Sequence, residues 1–256
     1  MFILNLARSY KLINDFIMKR IRAFLLTLVA ICMSASVFAH ALWIETEGIG
    51  KAGVSHEVKV FYGEYAQNER DVTSKWYSDV KDLSLWIVGP DGQKAKLNTT
   101  LGDNVANASF TPEKDGQYTL MVSHEAKDLA GTTKYQFLTS ATVHVGKPAA
   151  TVNAEAISNE LKIFPSAALS HQVNKAVKLK VMHKGVLKPE ASINVFSPAG
   201  WSQVLISGAD GETTFTPIWP GKYVVEVTDY QKAKGDHNGK PYEAVWQGST
   251  YSFDVK

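Results

Sequence analysis

The chain has 256 residues, with 27 basic and 25 acidic side chains, seven histidines and an 11% aromatic content. Five of the basic groups (Arg8, Lys11, Lys19, Arg20, Arg22) and one acid (Asp15) fall in the first 39 residues. The remainder therefore holds 22 basic and 24 acidic groups, net −2, which removes the electrostatic case for nucleic acid or an anionic membrane as partner.

At the amino end, Lys19-Arg20 and Arg22 precede the apolar run Ala23 to Cys32 and then a series of small residues. That order is a secretory leader. A cut after Val37-Phe38-Ala39 makes His40 the new amino terminus, and Met18 serves well as the true start of translation. The apolar run is shorter than the about 20 residues that cross a bilayer. Export to the periplasm without membrane insertion after cleavage is therefore expected. Cys32 is the only cysteine and lies inside this leader, with bulky Ile31 where a lipoprotein signal wants a small side chain. The processed chain then has no thiol and no disulfide, so its stability must come from a packed core.

Beyond His40 the apolar residues alternate: Val58, Val60 and Tyr62; Leu83, Leu85 and Ile87; Tyr118, Leu120 and Val122; Val177, Leu179 and Val181. A period of two marks half-buried strands. Turn signals at Gly89-Pro90-Asp91-Gly92, Asp115-Gly116, Asp210-Gly211 and Pro220-Gly221 separate the runs at the spacing of a sandwich. One phrase occurs twice. Phe110-Thr111-Pro112 with Asp115-Gly116-Gln117-Tyr118 is echoed by Phe215-Thr216-Pro217 with Pro220-Gly221-Lys222-Tyr223. The expectation is an all-β chain with a leader at 1–39, a first β-sandwich at 40–146, a linker at 147–160 and a second β-sandwich at 161–256. Within the linker a short helix at 155–161 is the one helical alternative.

Chemistry centres on His40, because leader cleavage places a free α-amine beside its imidazole and the two nitrogens can chelate one ion. The Irving–Williams order favours Cu(II) and then Ni(II) for such a pair. The competing reading is that cleavage merely happens to expose a histidine. His124, His183 and His237 are the candidates for completing the shell. His124 and His183 lie at strand ends, and His237 lies in the polar turn Gly235-Asp236-His237-Asn238-Gly239. Each has an ordinary alternative, a core histidine satisfied by a backbone carbonyl or plain surface. His144 alternates away from Val143 and Val145 and is expected to face solvent. Asp79 and Asp82 read as solvated surface acids. No HExxH helix, nucleophile elbow or phosphate loop is present, so no enzymatic activity is expected.

His40-Ala41-Leu42-Trp43, the strand end Phe61-Tyr62-Gly63-Glu64 and the phrase Gly211 to Tyr223 together resemble the NikM-like periplasmic nickel/cobalt-uptake family, catalogued as domain of unknown function 4198. The resemblance implies immunoglobulin-like or carboxypeptidase-regulatory-like sandwiches. It also implies a protein that binds a divalent transition metal, nickel or cobalt with copper as a third candidate, and passes it to a membrane metal transporter or outer-membrane receptor. It adds Glu64 to the ligand set, at a position where relatives carry histidine. Two other functions compete. One is a metal-free carbohydrate- or protein-binding sandwich module. The other is a copper histidine-brace oxidase, which would need a second opposing histidine and a flat aromatic face drawn from Trp43, Trp76, Trp86, Trp201, Trp219 and Trp246.

Overall fold

A computed structural model describes residues 40–147, 151–167 and 171–256. The expected leader at 1–39, with Met18 and Cys32, and residues 148–150 of the expected linker lie outside them. The first half contributes β1 (Ala41–Thr46), β2 (Ile49–Gly50), β3 (His56–Glu64), β4 (Glu69–Arg70), β5 (Leu85–Val88), β6 (Lys94–Leu97), β7 (Thr100–Leu101), β8 (Ala106–Phe110), β9 (Gly116–Glu125) and β10 (Thr133–Val145). The second half contributes β11 (Leu161–Pro165), β12 (Val177–His183), β13 (Val186–Leu187), β14 (Ser192–Phe196), β15 (Ser202–Ile206), β16 (Glu212–Phe215), β17 (Gly221–His237) and β18 (Lys240–Val255). Helical structure among the described residues is confined to single 3-10 turns, of which Ala154–Ala156 is the one inside the expected linker. No helix among them is long and apolar enough to cross a membrane.

The architecture is all-β, with sheets packed face to face over hydrophobic cores. A five-stranded sheet, β1-β3-β8-β7 with β4 beside β3, and a four-stranded sheet of β11, β12, β13 and β16 flank a nine-stranded sheet. That large sheet runs β15-β14-β17-β18-β10-β9-β5-β6, with β2 beside β10. Two hydrophobic cores result. One gathers Leu42, Ile44, Val58, Val60, Tyr62, Leu85, Leu120, Val122 and Phe137, the inward parity of the first-half strands. The other gathers Leu161, Ile163, Leu179, Val181, Ile193, Val195, Tyr223, Val225 and Tyr251. Val58, Val60, Leu120, Leu179 and Val181 are fully buried, as a period-two pattern requires.

The two cores share one sheet because β10 and β18 pair in parallel, from Thr133 opposite Ala244 to Ala141 opposite Ser252. His40–Lys256 therefore forms one compact unit. Strands at the middle of such a sheet are covered on both faces and lose the alternation of a half-buried strand. This corrects the reading of His144: on β10, between β2 and β9, it is 1% exposed and does not face solvent.

The repeated phrase builds the same corner in both halves. Tyr118 Oη donates to Lys114 O at 2.9 Å and accepts from Lys114 N at 3.1 Å. Tyr223 Oη donates to Trp219 O at 3.1 Å and accepts from Trp219 N at 3.3 Å. Each tyrosine thus satisfies both polar groups of the residue four positions upstream, the device called a tyrosine corner in sandwich folds. The rings pack on the phenylalanine ending the preceding strand, Phe110 at 5.5 Å and Phe215 at 5.8 Å between centroids.

Candidate functional site

His40 stands at the head of β1, where that strand pairs with the end of β3 through Ala41 opposite Gly63 and Leu42 opposite Tyr62. The pairing lays the His40 ring 5.4 Å from the Tyr62 ring. Two carboxylates flank the imidazole, Glu64 Oε1 at 3.6 Å from Nδ1 and Asp71 Oδ2 at 3.3 Å from Nε2. His40 remains 39% exposed, so one side of this group is open to water.

Both carboxylates are set in place by backbone. Gly63 has φ 149, and a Cβ there would collide with the Glu69 carbonyl, so glycine lets β4 fold back tightly on β3 and bring Asp71 round. Asp71 is then held at both ends, its N–H donating to Tyr62 O at 2.9 Å and its carbonyl accepting from Trp76 Nε1 at 2.9 Å. Arg70 pins β4 to β1 through Glu45 Oε1 at 2.9 Å and lies over the Phe61 ring at 4.8 Å. Burial, followed by the Asp71 charge, pushes the Tyr62 phenol well above its ordinary range, so it stays neutral.

A third carboxyl is coupled electrostatically to Glu64. Glu226, on β17, is 6% exposed. Its pKa is pushed up to about 7, first by burial and then by the Glu64 charge, against the pull of a hydrogen bond from Asn194. On the neighbouring β18, Thr250 faces Glu226 in register and donates through Oγ1 to Leu42 O at 2.6 Å, so this polar strip of the large sheet runs beneath β1.

Of the expected ligands, Glu64 alone shares an ion pair or ring contact with His40 among the described residues. The other three serve as joints. His124 Nε2 lies 3.0 Å from Asp79 Oδ1, which also accepts from Lys127 N at 2.8 Å. Burial pushes the Asp79 carboxyl upward, but the Lys127 amide and His124 outweigh it and hold it below the usual range. Asp79 is therefore not the solvated surface acid that its spacing suggested. His237 Nε2 lies 2.8 Å from Ala126 O and Nδ1 lies 3.3 Å from Glu125 Oε1, which fastens the tip of the β17–β18 hairpin to the end of β9. His183 Nδ1 lies 4.0 Å from Asp229 Oδ2, itself paired with Lys188 Nζ at 2.9 Å. Asp71, Glu125 and Glu226 carried no signal in the sequence, because each meets its histidine or carboxylate across segments distant in the chain. No three His, Cys, Asp or Glu side chains among the described residues already stand arranged to hold a metal ion.

The family described as "Domain of unknown function (DUF4198)" matches residues 37–229. The chain belongs to that family. The DUF4198 match takes in His40, Glu64, Asp71 and Glu226 alike. Filamin-C of Rattus norvegicus and of Mus musculus each align with this DUF4198 chain at 29% identity over 154 residues, 57% of this chain and 5% of the filamin. The chain thus spans a small fraction of the curated relatives it matches. A two-domain fibronectin type-III segment from chicken tenascin aligns at 12% identity with a TM-score of 0.24, over 80% of this chain and 95% of that segment.

Proposed function

We propose that this DUF4198 protein is a NikM-like periplasmic carrier that binds a divalent transition metal, nickel or cobalt, and hands it to a membrane metal transporter or outer-membrane receptor. The observation that carries the reading is the placement of His40 between Glu64 on Nδ1 and Asp71 on Nε2. In an amino-terminal histidine the α-amine and Nδ1 close a chelate ring on one ion, and Glu64 stands on that same side. Asp71 stands near the other nitrogen, its Oδ2 3.3 Å from Nε2, where a carboxylate favours the proton on Nε2 and leaves the Nδ1 lone pair for the metal. The chain's part is to orient the imidazole through Asp71 and to supply a two-nitrogen, one-carboxylate arc, with the open side of His40 left to water or to the receiving partner. A mixed nitrogen and carboxylate set suits nickel, cobalt or zinc better than an all-nitrogen copper site. In this reading the metal is cargo and the protein is not an enzyme.

Calorimetric titration with Ni(II), Co(II) and Cu(II) tests the reading. Protein that begins at His40 is compared with protein carrying one extra glycine before it. The extra residue is expected to weaken Ni(II) binding strongly, and Asp71→Asn to weaken it about 10- to 100-fold. Equal affinity in all three proteins would overturn the proposal, and a protein that binds no ion at all would return the chain to the metal-free module.

A further inference from the structure

An exposed sheet edge offers unpaired N–H and C=O groups to any passing strand, and folded proteins guard such edges with charge, proline or cover. Most edges here are guarded in this way. At one end of the nine-stranded sheet, β6 carries exposed Lys94 and Lys96. β11 carries Lys162 and ends in Pro165, and β16 begins with Glu212. β1 has its outer carbonyls taken, since Thr250 Oγ1 donates to Leu42 O and Ser252 Oγ to Ile44 O. The opposite end of the large sheet is different. β15 reads Ser202-Gln203-Val204-Leu205-Ile206, with no charge and no proline, and it pairs on one side alone, with β14. Val204 is 62% exposed and Ile206 58% exposed on its outward face. Among the described residues it is the one edge strand of four or more residues that is guarded by nothing.

We propose that β15 is an intermolecular edge, which pairs antiparallel with β15 of a second copy of this chain. Antiparallel pairing about a two-fold axis at Val204 sets Val204 against Val204, Gln203 against Leu205 and Ser202 against Ile206. A charged partner strand would find no opposite charge, whereas a second copy meets a neutral strand of matched length with no like charges opposed. The outward Val204 and Ile206 side chains of both copies then form one apolar strip, and the free backbone groups on the outer edge are paired. Two-fold contacts of this self-matching kind are the commonest form of soluble oligomer. Five residues a side is well below the roughly 800 Å² per partner of a stable dimer, so the association is weak and depends on concentration.

Sedimentation of the full chain from about 5 μM to about 500 μM is expected to show a monomer–dimer equilibrium in this range. Val204→Lys and Val204→Glu each oppose like charges across the axis and are expected to weaken self-association at least tenfold, while circular dichroism shows each variant folded. An equimolar mixture of the two variants is expected to restore a heterodimer. A wild-type chain that stays monomeric throughout, a Val204→Lys chain that dimerises as well as wild type, or a mixture that forms no heterodimer would each overturn the proposal. Amide protection of β15 that appears only after another protein is added to a monomeric chain would replace the second copy with that partner.

Discussion

Glu226 is a buried carboxyl whose titration makes stability depend on pH. Its pKa is pushed up to about 7 in the folded chain, from an ordinary value of 4.5. The unfolded chain releases this proton near pH 4.5, whereas the folded chain keeps it until about pH 7. Between those values the folded state binds more protons, so this group's contribution falls as pH rises and then levels off above pH 7. At about 1.36 kcal/mol per unit, the loss by pH 8 is on the order of 3 kcal/mol. Glu226→Gln keeps a neutral polar side chain beside Asn194 and cannot ionise. Urea denaturation of metal-free wild type and variant at pH 5 and pH 8 isolates the effect, because titrating groups not coupled to Glu226 cancel in the difference. The variant is expected to match wild type at pH 5 and to exceed it at pH 8 by on the order of 3 kcal/mol. A difference that does not change with pH would refute the assignment of a neutral buried carboxyl at Glu226.

The twin corners should respond alike: Tyr118→Phe and Tyr223→Phe each remove one hydroxyl that serves two backbone groups, at a cost of about 1–2 kcal/mol. Because the corners belong to different cores, the double variant should show the sum in urea denaturation, and a strong departure would mean that the two are not independent. Lys162 is a buried cation whose Nζ donates to Ala154 O at 2.8 Å and Ile157 O at 2.7 Å, tying the connecting segment to β11. Lys162→Met strands both carbonyls and is expected to cost about 3 kcal/mol, a fall of roughly 6–10 °C in Tm by calorimetry. An unchanged Tm would show that water replaces the ammonium there.

Strand content was legible because burial on one face writes a period of two into the sequence, as in Val58-Val60-Tyr62 and Val177-Leu179-Val181. The corners were legible too, since a tyrosine and the residue it satisfies lie four positions apart and the phrase occurs twice. The structure adds a further echo: Gly89-Pro90-Asp91-Gly92-Gln93 and Ser197-Pro198-Ala199-Gly200-Trp201 close similar turns, through Gly92 N to Gly89 O at 3.0 Å and Gly200 N to Ser197 O at 3.2 Å. Parity failed at His144 because it assumes one wet face, and β10 has none from Phe137 to Val145. It failed at Asp79 because a short-range count of acids says nothing about a histidine 45 positions away.

What the sequence by itself determined is therefore local: which segments are strands, where they turn, and that His40 heads the first of them. Which side chains meet His40 was decided by tertiary structure alone. Glu64 arrives through the β1–β3 register and Asp71 through the fold-back at Gly63, while the β10–β18 joint brings Thr250 to Thr139 at 2.8 Å across 111 residues. Contacts between distant segments likewise engage His124 with Asp79 and His237 with Glu125 and Ala126. The physical reason is that strand pairing is set by the packing of whole sheets, so a residue's partner across a sheet is recorded nowhere near it in the chain.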